Sequence, residues 1–288
     1  MPMYDISGAY DMHVHTGPDF VDRIGDDVEV ATACEKAGMK GLLLKAHMEC
    51  TVSRAYHTQK QCGNIRVYGS LVLGGTTGGF NPFAAEAAMK AGAKQVFMPT
   101  FASAADFAVH GGEGETRIHK YGLKTTIEPL SALEVDGTVK KTIADILELS
   151  RDYNVPIGTS HLSFEEILPI ARFARDIGSR LIVTHPEYKI PNLSAPQLKE
   201  LTALGALVEL TAGAVFPIPG CSTIARDVEI VREVGYRNIF ISSDAGTPTK
   251  PMPAETLSSF LYCLQKKGIP SDQLDYMLKE NPVRVFSL

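Results

Sequence analysis

Short apolar runs alternate with amphipathic segments from one end of the chain to the other. The apolar runs have the length of β-strands, and the segments between them carry apolar residues at the three- and four-residue spacings of helices. The predicted strands are 9–15, 41–47, 66–73, 95–100, 155–161, 180–185, 207–211 and 238–244. The predicted helices include 28–37, 82–91, 139–153, 164–177, 195–204 and 224–234, and most of them stop at a glycine.

Eight strands that alternate with helices predict an α/β fold, a (β/α)8 TIM barrel. The strands read as nearly continuous apolar runs, as expected when both faces of a parallel sheet are buried. A doubly wound open sheet is the alternative, but the first strand lacks the Gly-x-Gly-x-x-Gly turn expected there. With 288 residues, 44% of them hydrophobic, we expect residues 1–288 to form one barrel domain.

Two segments depart from this regular pattern. Residues 101–137 are predicted to be an inserted active-site loop or hairpin, with a turn at Asp136-Gly137; disorder or an oligomer contact is the alternative. The run Gly74–Gly79 follows the third strand and lacks the lysine of a phosphate-binding P-loop. It is therefore predicted to be a mobile active-site loop.

Composition narrows the classes of partner. The formal net charge of −5 is mild and forms no block, which argues against nucleic acid and anionic membranes as partners. No run approaches the apolar length of a membrane span, and the start lacks a secretory signal pattern. The five cysteines are scattered, without a Cys-x-x-Cys pair. We predict a cytoplasmic protein with a small-molecule substrate, and expect a homo-oligomer.

Histidines mark the ends of the predicted strands. His13 and His15 end the first strand, and alternate residues of a strand project from one face, so two imidazoles can meet at one ion. His161, His185 and Asp244 end the fifth, sixth and eighth strands. In a TIM barrel these ends form the active-site face. The sequence therefore predicts a metal site made by these five residues.

Imidazole and carboxylate ligands fit zinc, with manganese, iron or nickel as alternatives. An open position on such an ion activates water by lowering its pKa to about 7. An aspartate beside it can accept the proton of the attacking water and pass it to the leaving group. Asp244 is the candidate for this catalytic role.

At these residues the chain resembles the amidohydrolase superfamily. The resemblance is carried by His13-x-His15, by His161, His185 and Asp244, and by the closing run Asn281-Pro-Val-Arg284, and it spans essentially the whole chain. It implies a metal-dependent hydrolase in which Asp244 shuttles protons. Members with two ions carry a bridging lysine or glutamate on strand four, and the run 95–100 has neither. One ion is therefore favoured over two, with His185 either a ligand or a catalytic group.

Further polar residues lie near the same strand ends. Lys45 and His47 share a face of the second strand and are predicted to bind substrate. Lys45 has two other interpretations, as a carbamate that bridges metal ions and as an ion-pair partner of Asp11 or Asp244. Arg54 is a candidate for binding a substrate carboxylate or phosphate, with a solvated surface arginine as the alternative. Glu209 is an acidic residue within an apolar strand, and a polar role near the site is one interpretation of it, though not the favoured one.

The predicted function is hydrolysis of an amide, lactone or ester in a small molecule. A metal-dependent decarboxylase of the same superfamily is the main alternative. A phosphatase of the polymerase and histidinol phosphatase type shares the opening Asp-x-His-x-His but usually has a late Asp-x-His, whereas Asp244 is followed by Ala245-Gly246. A barrel that binds without turnover is the last alternative.

Overall fold

The protein is seen in a computed structural model that describes residues 3–110, 122–216 and 220–288. Eight strands pair in chain order, and every pair is parallel. The strands are β1 Tyr10–Val14, β2 Gly41–Leu44, β3 Arg66–Val72, β4 Gln95–Phe97, β5 Ile157–Gly158, β6 Leu181–Thr184, β7 Leu207–Thr211 and β8 Ile239–Ser242. The predicted (β/α)8 TIM barrel is confirmed.

The ends of β1 and β8 close the barrel. The backbone N–H of His15 donates to the carbonyl of Ala245 (2.9 Å), and that of Asp244 donates to the carbonyl of His13 (3.0 Å). The seam that closes the barrel thus also holds three of the predicted metal ligands beside one another.

Helices follow the strands along the chain. They are α1 Asp27–Lys36, α2 Val52–Gln59, α3 Pro82–Lys90, α4 Ala104–His110, α5 Lys141–Tyr153, α6 Phe164–Ile177, α7 Ala195–Ala203, α8 Ile224–Val234, α9 Pro253–Lys266, α10 Ser271–Asp275 and α11 Asn281–Phe286. Local sequence sets their ends: Asp26 caps the first N–H groups of α1, and Gly178 ends α6 in the left-handed conformation (φ 76°). Among the described residues, none of these helices combines the length and the apolar character that crossing a bilayer requires.

The inner face of the barrel is apolar at the end opposite the histidines. Buried side chains from the strands pack there against Val285 and Phe286 of the C-terminal helix α11: Met12, Leu43, Val72, Phe97, Ile182 and Phe240. Asn281, from the closing run, donates from Nδ2 to the carbonyl groups of Tyr236, Arg237 and Ile239. The closing run therefore covers the start of β8, and the polar site lies on a packed floor.

Most strands are shorter at their carboxyl ends than the apolar pattern predicts. The chain leaves the β conformation at Ser160, His185 and Asp244, which all have positive φ values (48°, 34° and 47°). Such angles strain a residue with a side chain, and strain of this kind concentrates at functional sites. Two of these three residues are predicted site residues, and the third precedes His161.

A buried pair of carboxyl groups, Glu187 and Asp227, lies beside β7. Glu187 accepts hydrogen bonds from the N–H (2.6 Å) and the hydroxyl (3.0 Å) of Thr211, while Asp227 accepts one from Ser222 (3.1 Å). Burial raises the pKa of Asp227 to about 7, and burial together with Asp227 raises the pKa of Glu187 well above its ordinary value.

We expect Asp227→Asn to flatten the dependence of stability on pH. Between pH 4 and 7 the folded chain keeps a proton on Asp227 that the unfolded chain releases, so the free energy of unfolding falls as pH rises, by up to about 1.4 kcal/mol per pH unit. Asparagine imitates the protonated acid. The variant should match the wild type near pH 4 and be more stable at pH 8, as measured by urea unfolding.

Asp152→Asn is the matched control, because the Asp152 side chain is 57% exposed. Its unfolding curves should follow those of the wild type at each pH. Parallel pH profiles for Asp227→Asn and the wild type would show that Asp227 is ionised in the folded chain.

Candidate metal centre

β1 brings His13 and His15 to the mouth of the barrel. Asp11 and Val14 are three residues apart in β1, but their partners in β2, Leu42 and Leu44, are two residues apart. β1 therefore carries a bulge beside His13. Both imidazoles converge on one carboxylate: Nε2 of His13 and Nε2 of His15 each lie 3.2 Å from Oδ1 of Asp244. Asp11 instead accepts hydrogen bonds from the backbone N–H groups of Ser243 (2.9 Å) and His13 (3.3 Å). Asp11 thus ties β1 to β8 through the backbone.

The turn after β8 fixes Asp244 in this position. Gly246 (φ 134°) approaches β1 so closely that a Cβ atom there would lie 1.9 Å from the carbonyl oxygen of His15. Only glycine allows this approach. The run Asp244-Ala-Gly246 therefore positions Asp244 as a candidate ligand. It also lets the turn pass close to β1, which carries His13 and His15.

His161 and His185 extend the cluster across the barrel mouth. The centroid of the His185 ring lies 5.9 Å from that of His13 and 5.1 Å from that of His161. His13 lies beneath the cleft, 3.2 Å from Asp244, and the other four predicted strand-end residues line it: His15, His161, His185 and Asp244.

Two buried carboxylates orient the imidazoles from outside the cluster. Oε1 of Glu209 lies 3.2 Å from Nδ1 of His13, and Oδ2 of Asp106 lies 2.6 Å from Nδ1 of His161. When each carboxylate accepts the Nδ1 proton, the lone pair of Nε2 is left for a metal ion, as in carboxylate–histidine–zinc arrangements. The polar role suspected for Glu209 has this geometric basis. Asp106 was missed by the sequence reasoning because it lies on α4, within the irregular segment.

The residues present fit a divalent ion. His13, His15 and Asp244 offer ligand atoms that all lie within 4.8 Å of one another. Nδ1 of His185 is buried and has no hydrogen-bond partner among the described residues. Burial lowers the pKa of His13 and of His15 to about 3, so both imidazoles are neutral, the form that binds metal. Burial opposes ionisation of Asp244, but His13, His15 and Lys250 bring its pKa well below its ordinary value.

Lys45 enters the same cluster. Its Nζ lies 3.0 Å from Nε2 of His13 and 4.4 Å from the centroid of the Phe97 ring, and the side chain is fully buried. Within the described chain it forms no ion pair with Asp11 or Asp244. Burial lowers the pKa of Lys45 to about 8, which favours the neutral amine more than in water.

The other two predicted substrate-binding residues have different surroundings. His47 lines the cleft, stacked between the rings of His15 (4.7 Å) and Phe101 (4.2 Å), and Nδ1 lies 3.1 Å from the hydroxyl of Thr100. Arg54 does not line the cleft. Its guanidinium donates to Asp27, to Glu49 and to the carbonyl groups of residues 16–18. Arg54 thus holds the loop after β1 in place.

Several residues of the cleft were not singled out from the sequence, and three of them are polar or charged groups that matter for its chemistry: Arg23, Tyr188 and Lys250. All three come from loops that follow strands, where no hydrophobic period marks a position. Each of them comes shortly after a strand-end ligand in the sequence. Many solvent-exposed residues do the same, so this position alone does not predict a site residue.

A second, more apolar cavity adjoins the cleft. Its volume is about 220 Å³, and it shares His47 and Phe101 with the cleft. Its other lining residues include Met48, Gly75, Ala102, Leu123 and Ile127. The glycine-rich run after β3 therefore borders this cavity, and so does the second half of segment 101–137.

The described parts of segment 101–137 have defined structure. The segment contains α4 and pairs Leu133 with Val139, and the predicted turn at Asp136-Gly137 has Gly137 in the left-handed region (φ 83°). The part between residues 111 and 121 lies outside the described residues. The single-domain assignment with this segment as an active-site insertion stays a prediction.

Comparison with solved structures identifies proteins that share this barrel fold. The chain is similar to an amidohydrolase from Pseudomonas aeruginosa (14% identity, TM-score 0.63, covering 97% of this chain and 95% of that one). It is also similar to the probable dipeptidase PvdM from the same organism (11%, 0.65, 96% and 94%). A third such structure is an organophosphorus hydrolase from Deinococcus radiodurans (14%, 0.61, 99% and 98%). The fold is thus that of the barrel hydrolases which the sequence resembles.

The chain belongs to DUF6282, a family of unknown function, which matches residues 8–209. No curated protein matches the chain.

Proposed function

We propose that this protein is a metal-dependent hydrolase that uses an activated water on an amide, lactone or ester of a small molecule. The observation that carries the proposal is the convergence of His13 and His15, both neutral, on the ionised carboxylate of Asp244 at the barrel mouth. This donor set is one that divalent ions bind in hydrolytic sites.

One ion held by His13, His15, His161 and Asp244 is the preferred arrangement, and zinc is the preferred ion. When bound, such an ion supplies Lewis-acid activation of water at neutral pH. Asp244 accepts the proton of the attacking water and delivers it to the leaving group, for which its ionised form is required. His185, a neutral imidazole in the same cleft, donates a hydrogen bond to the substrate oxygen that gains negative charge.

A metal-dependent decarboxylase is the second candidate, because these four ligands can hold one ion for decarboxylation as well as for hydrolysis. A phosphatase of the polymerase and histidinol phosphatase type has less support, since Ala245 and Gly246 fill the places after Asp244. A small-molecule substrate fits the narrow cleft. Cytoplasmic location and homo-oligomerisation stay predictions.

The test combines metal analysis with turnover. The purified chain is stripped with a chelator, reloaded with zinc, manganese or nickel, and assayed on amides, lactones, esters, carboxylic acids and phosphate monoesters in ¹⁸O-labelled water. We expect metal-dependent release of a product that carries one ¹⁸O atom. Release of carbon dioxide together with an organic product that carries no ¹⁸O would establish the decarboxylase. Three ions with phosphatase activity would establish the phosphatase. Metal binding without any turnover would support the non-catalytic barrel.

We expect Lys45→Met to leave the metal count at one ion per chain and to keep or increase the affinity. The substitution removes a cation that stands 3.0 Å from a metal ligand, while the methionine retains most of the side-chain volume. Metal content is measured by mass spectrometry after dialysis, with and without bicarbonate.

The control is Lys141→Met, because the Lys141 side chain is 85% exposed. If Lys45 were a bridging carbamate, the wild type would bind two ions in bicarbonate and Lys45→Met only one. A raised KM at an unchanged ion count would instead assign Lys45 to substrate binding.

A further inference from the structure

The cleft around the predicted metal ligands is rich in cations. Arg23, Lys45 and Lys250 line it, and Asp244 is the only acidic residue among its described lining residues. The chain as a whole has a formal net charge of −5. The basic character of the cleft is therefore local, and a cavity in which cations outnumber acidic groups attracts anionic ligands.

Arg23 is held in place by an acidic neighbour and still has an unused hydrogen-bond donor. Its Nε and Nη2 donate to Oδ2 of Asp19 (3.0 and 2.6 Å), and only 4% of the side chain is exposed. Nη1 has no hydrogen-bond partner in the described part of the chain. Asp19 balances the charge of Arg23 and fixes its plane, so the contribution of Arg23 is a directed donor edge that suits a carboxylate.

Lys250 supplies charge at the same cleft. Its Nζ donates to the carbonyl groups of Asp244 (3.1 Å) and Gly213 (3.3 Å). An ammonium group has three donors, so one is left for a ligand. These backbone contacts place the cation directly beside the turn that carries Asp244.

The adjoining cavity indicates the rest of the ligand. Its volume is about 220 Å³, and Met48, Ala102, Leu123 and Ile127 make much of its lining apolar. A dry apolar cavity of about 150 Å³ already binds benzene, so a ring or a branched aliphatic group fits.

We propose that the substrate is a carboxylate with an apolar substituent, that Arg23 and Lys250 bind the carboxylate, and that the substituent lies in the adjoining cavity. This inference rests on the proposed hydrolase function, since it specifies the substrate of the same site. It identifies Arg23, and not Arg54, as the arginine that selects the substrate.

The test measures binding of three probes by calorimetry, to the metal-free and to the zinc-loaded chain. The probes are 3-phenylpropionate, its neutral analogue 3-phenylpropionamide, and propionate. We expect the acid to bind at least tenfold more tightly than the amide in both forms, because a charged hydrogen-bond pair is lost with the amide. Propionate, which lacks the ring, should bind at least tenfold more weakly than 3-phenylpropionate.

Variants assign the preference to Arg23. Arg23→Met should bind acid and amide within threefold of each other, whereas Arg172→Met, whose arginine is 58% exposed, should retain the wild-type preference. Circular dichroism verifies folding, and Lys250→Met is the second variant should Arg23→Met fail to fold. Lys250→Met should likewise reduce the preference for the acid.

Several outcomes would overturn the inference: equal binding of acid and amide by the wild type, an undiminished preference in the folded variant, or propionate that binds as well as 3-phenylpropionate. A preference present only with zinc would also overturn it, because the carboxylate would then be a ligand of the ion. Failure of the proposed function gives a different pattern, in which zinc does not bind while the metal-free chain still prefers the acid.

Discussion

Replacing Asp244 with asparagine should lower kcat by about 10³-fold, within the range of about 10² to 10⁴ that positioned proton transfer contributes. The amide is nearly isosteric with the carboxylate and cannot accept the proton of the attacking water. His13, His15 and His161 remain as ligands, so one ion should still be bound, though more weakly. The measurements are kcat under saturating zinc and the metal content of the same sample.

Asp272→Asn is the control, because Asp272 is an exposed residue in the first turn of α10 and far from the cleft in the fold. It should leave kcat and metal content unchanged. Activity of Asp244→Asn within tenfold of the wild type at full metal occupancy would assign the proton transfer to another group. Loss of the ion itself would show that Asp244 acts chiefly as a ligand.

The fold could be predicted because the hydrophobic pattern that produces it runs along the whole chain. A parallel strand buried on both faces needs an apolar run, and each helix end needs a local signal such as the glycine at position 178. The strand ends were less predictable. Residues such as His185 and Asp244 leave the β conformation with positive φ, a feature imposed by the site and not by the apolar pattern.

The inner part of the site followed from topology. Once eight parallel strands are assigned, residues at their carboxyl ends must meet, wherever they stand in the sequence. Topology does not predict which side chains of the loops enter the site. Arg54 follows β2, as expected of a substrate-binding residue, yet its guanidinium binds Asp27 and the loop after β1. Arg23 lies in that loop and enters the cleft. Which arginine enters depends on loop conformation, which spacing does not encode.

The bulge in β1 was also beyond sequence reasoning. Strict alternation places Asp11 on the face of His13, but the extra residue before Val14 interrupts the alternation, and Asp11 binds backbone groups of β1 and β8. Asp106 was hidden for another reason, since its partner His161 lies 55 residues away along the chain. In both cases the decisive contact is tertiary.

Glu209 offers the sharpest test of the groups that orient the ligands. Its carboxylate contacts Nδ1 of His13, both side chains are fully buried, and Oε2 has no hydrogen-bond partner among the described residues. Burial raises the pKa of Glu209 to about 8, which indicates that this position costs folding free energy. A buried acid kept at such a cost is expected to serve the site.

We therefore expect Glu209→Met to weaken zinc binding and to lower stability. Zinc should bind about 10 to 100-fold more weakly, the usual loss when a partner of a ligating histidine is removed. The metal-free chain should melt at a lower temperature than the wild type, because Nδ1–H of His13 loses its buried acceptor. Glu209→Gln keeps an acceptor for Nδ1–H, so it should melt near the wild type and lie between the two in zinc affinity. Affinity is measured by competition with a chelator, and melting by circular dichroism.

Glu165→Gln, on the exposed first turn of α6, provides the comparison and should change neither quantity. Glu209→Gln separates the possible roles of Glu209, because it keeps the acceptor for His13 but not the negative charge. If Glu209 only supports the fold, zinc affinity should follow the melting temperature and be at the wild-type level in Glu209→Gln. If the carboxylate orients and polarises His13, Glu209→Gln should melt like the wild type and still bind zinc more weakly. Unchanged zinc affinity in Glu209→Met would exclude that role.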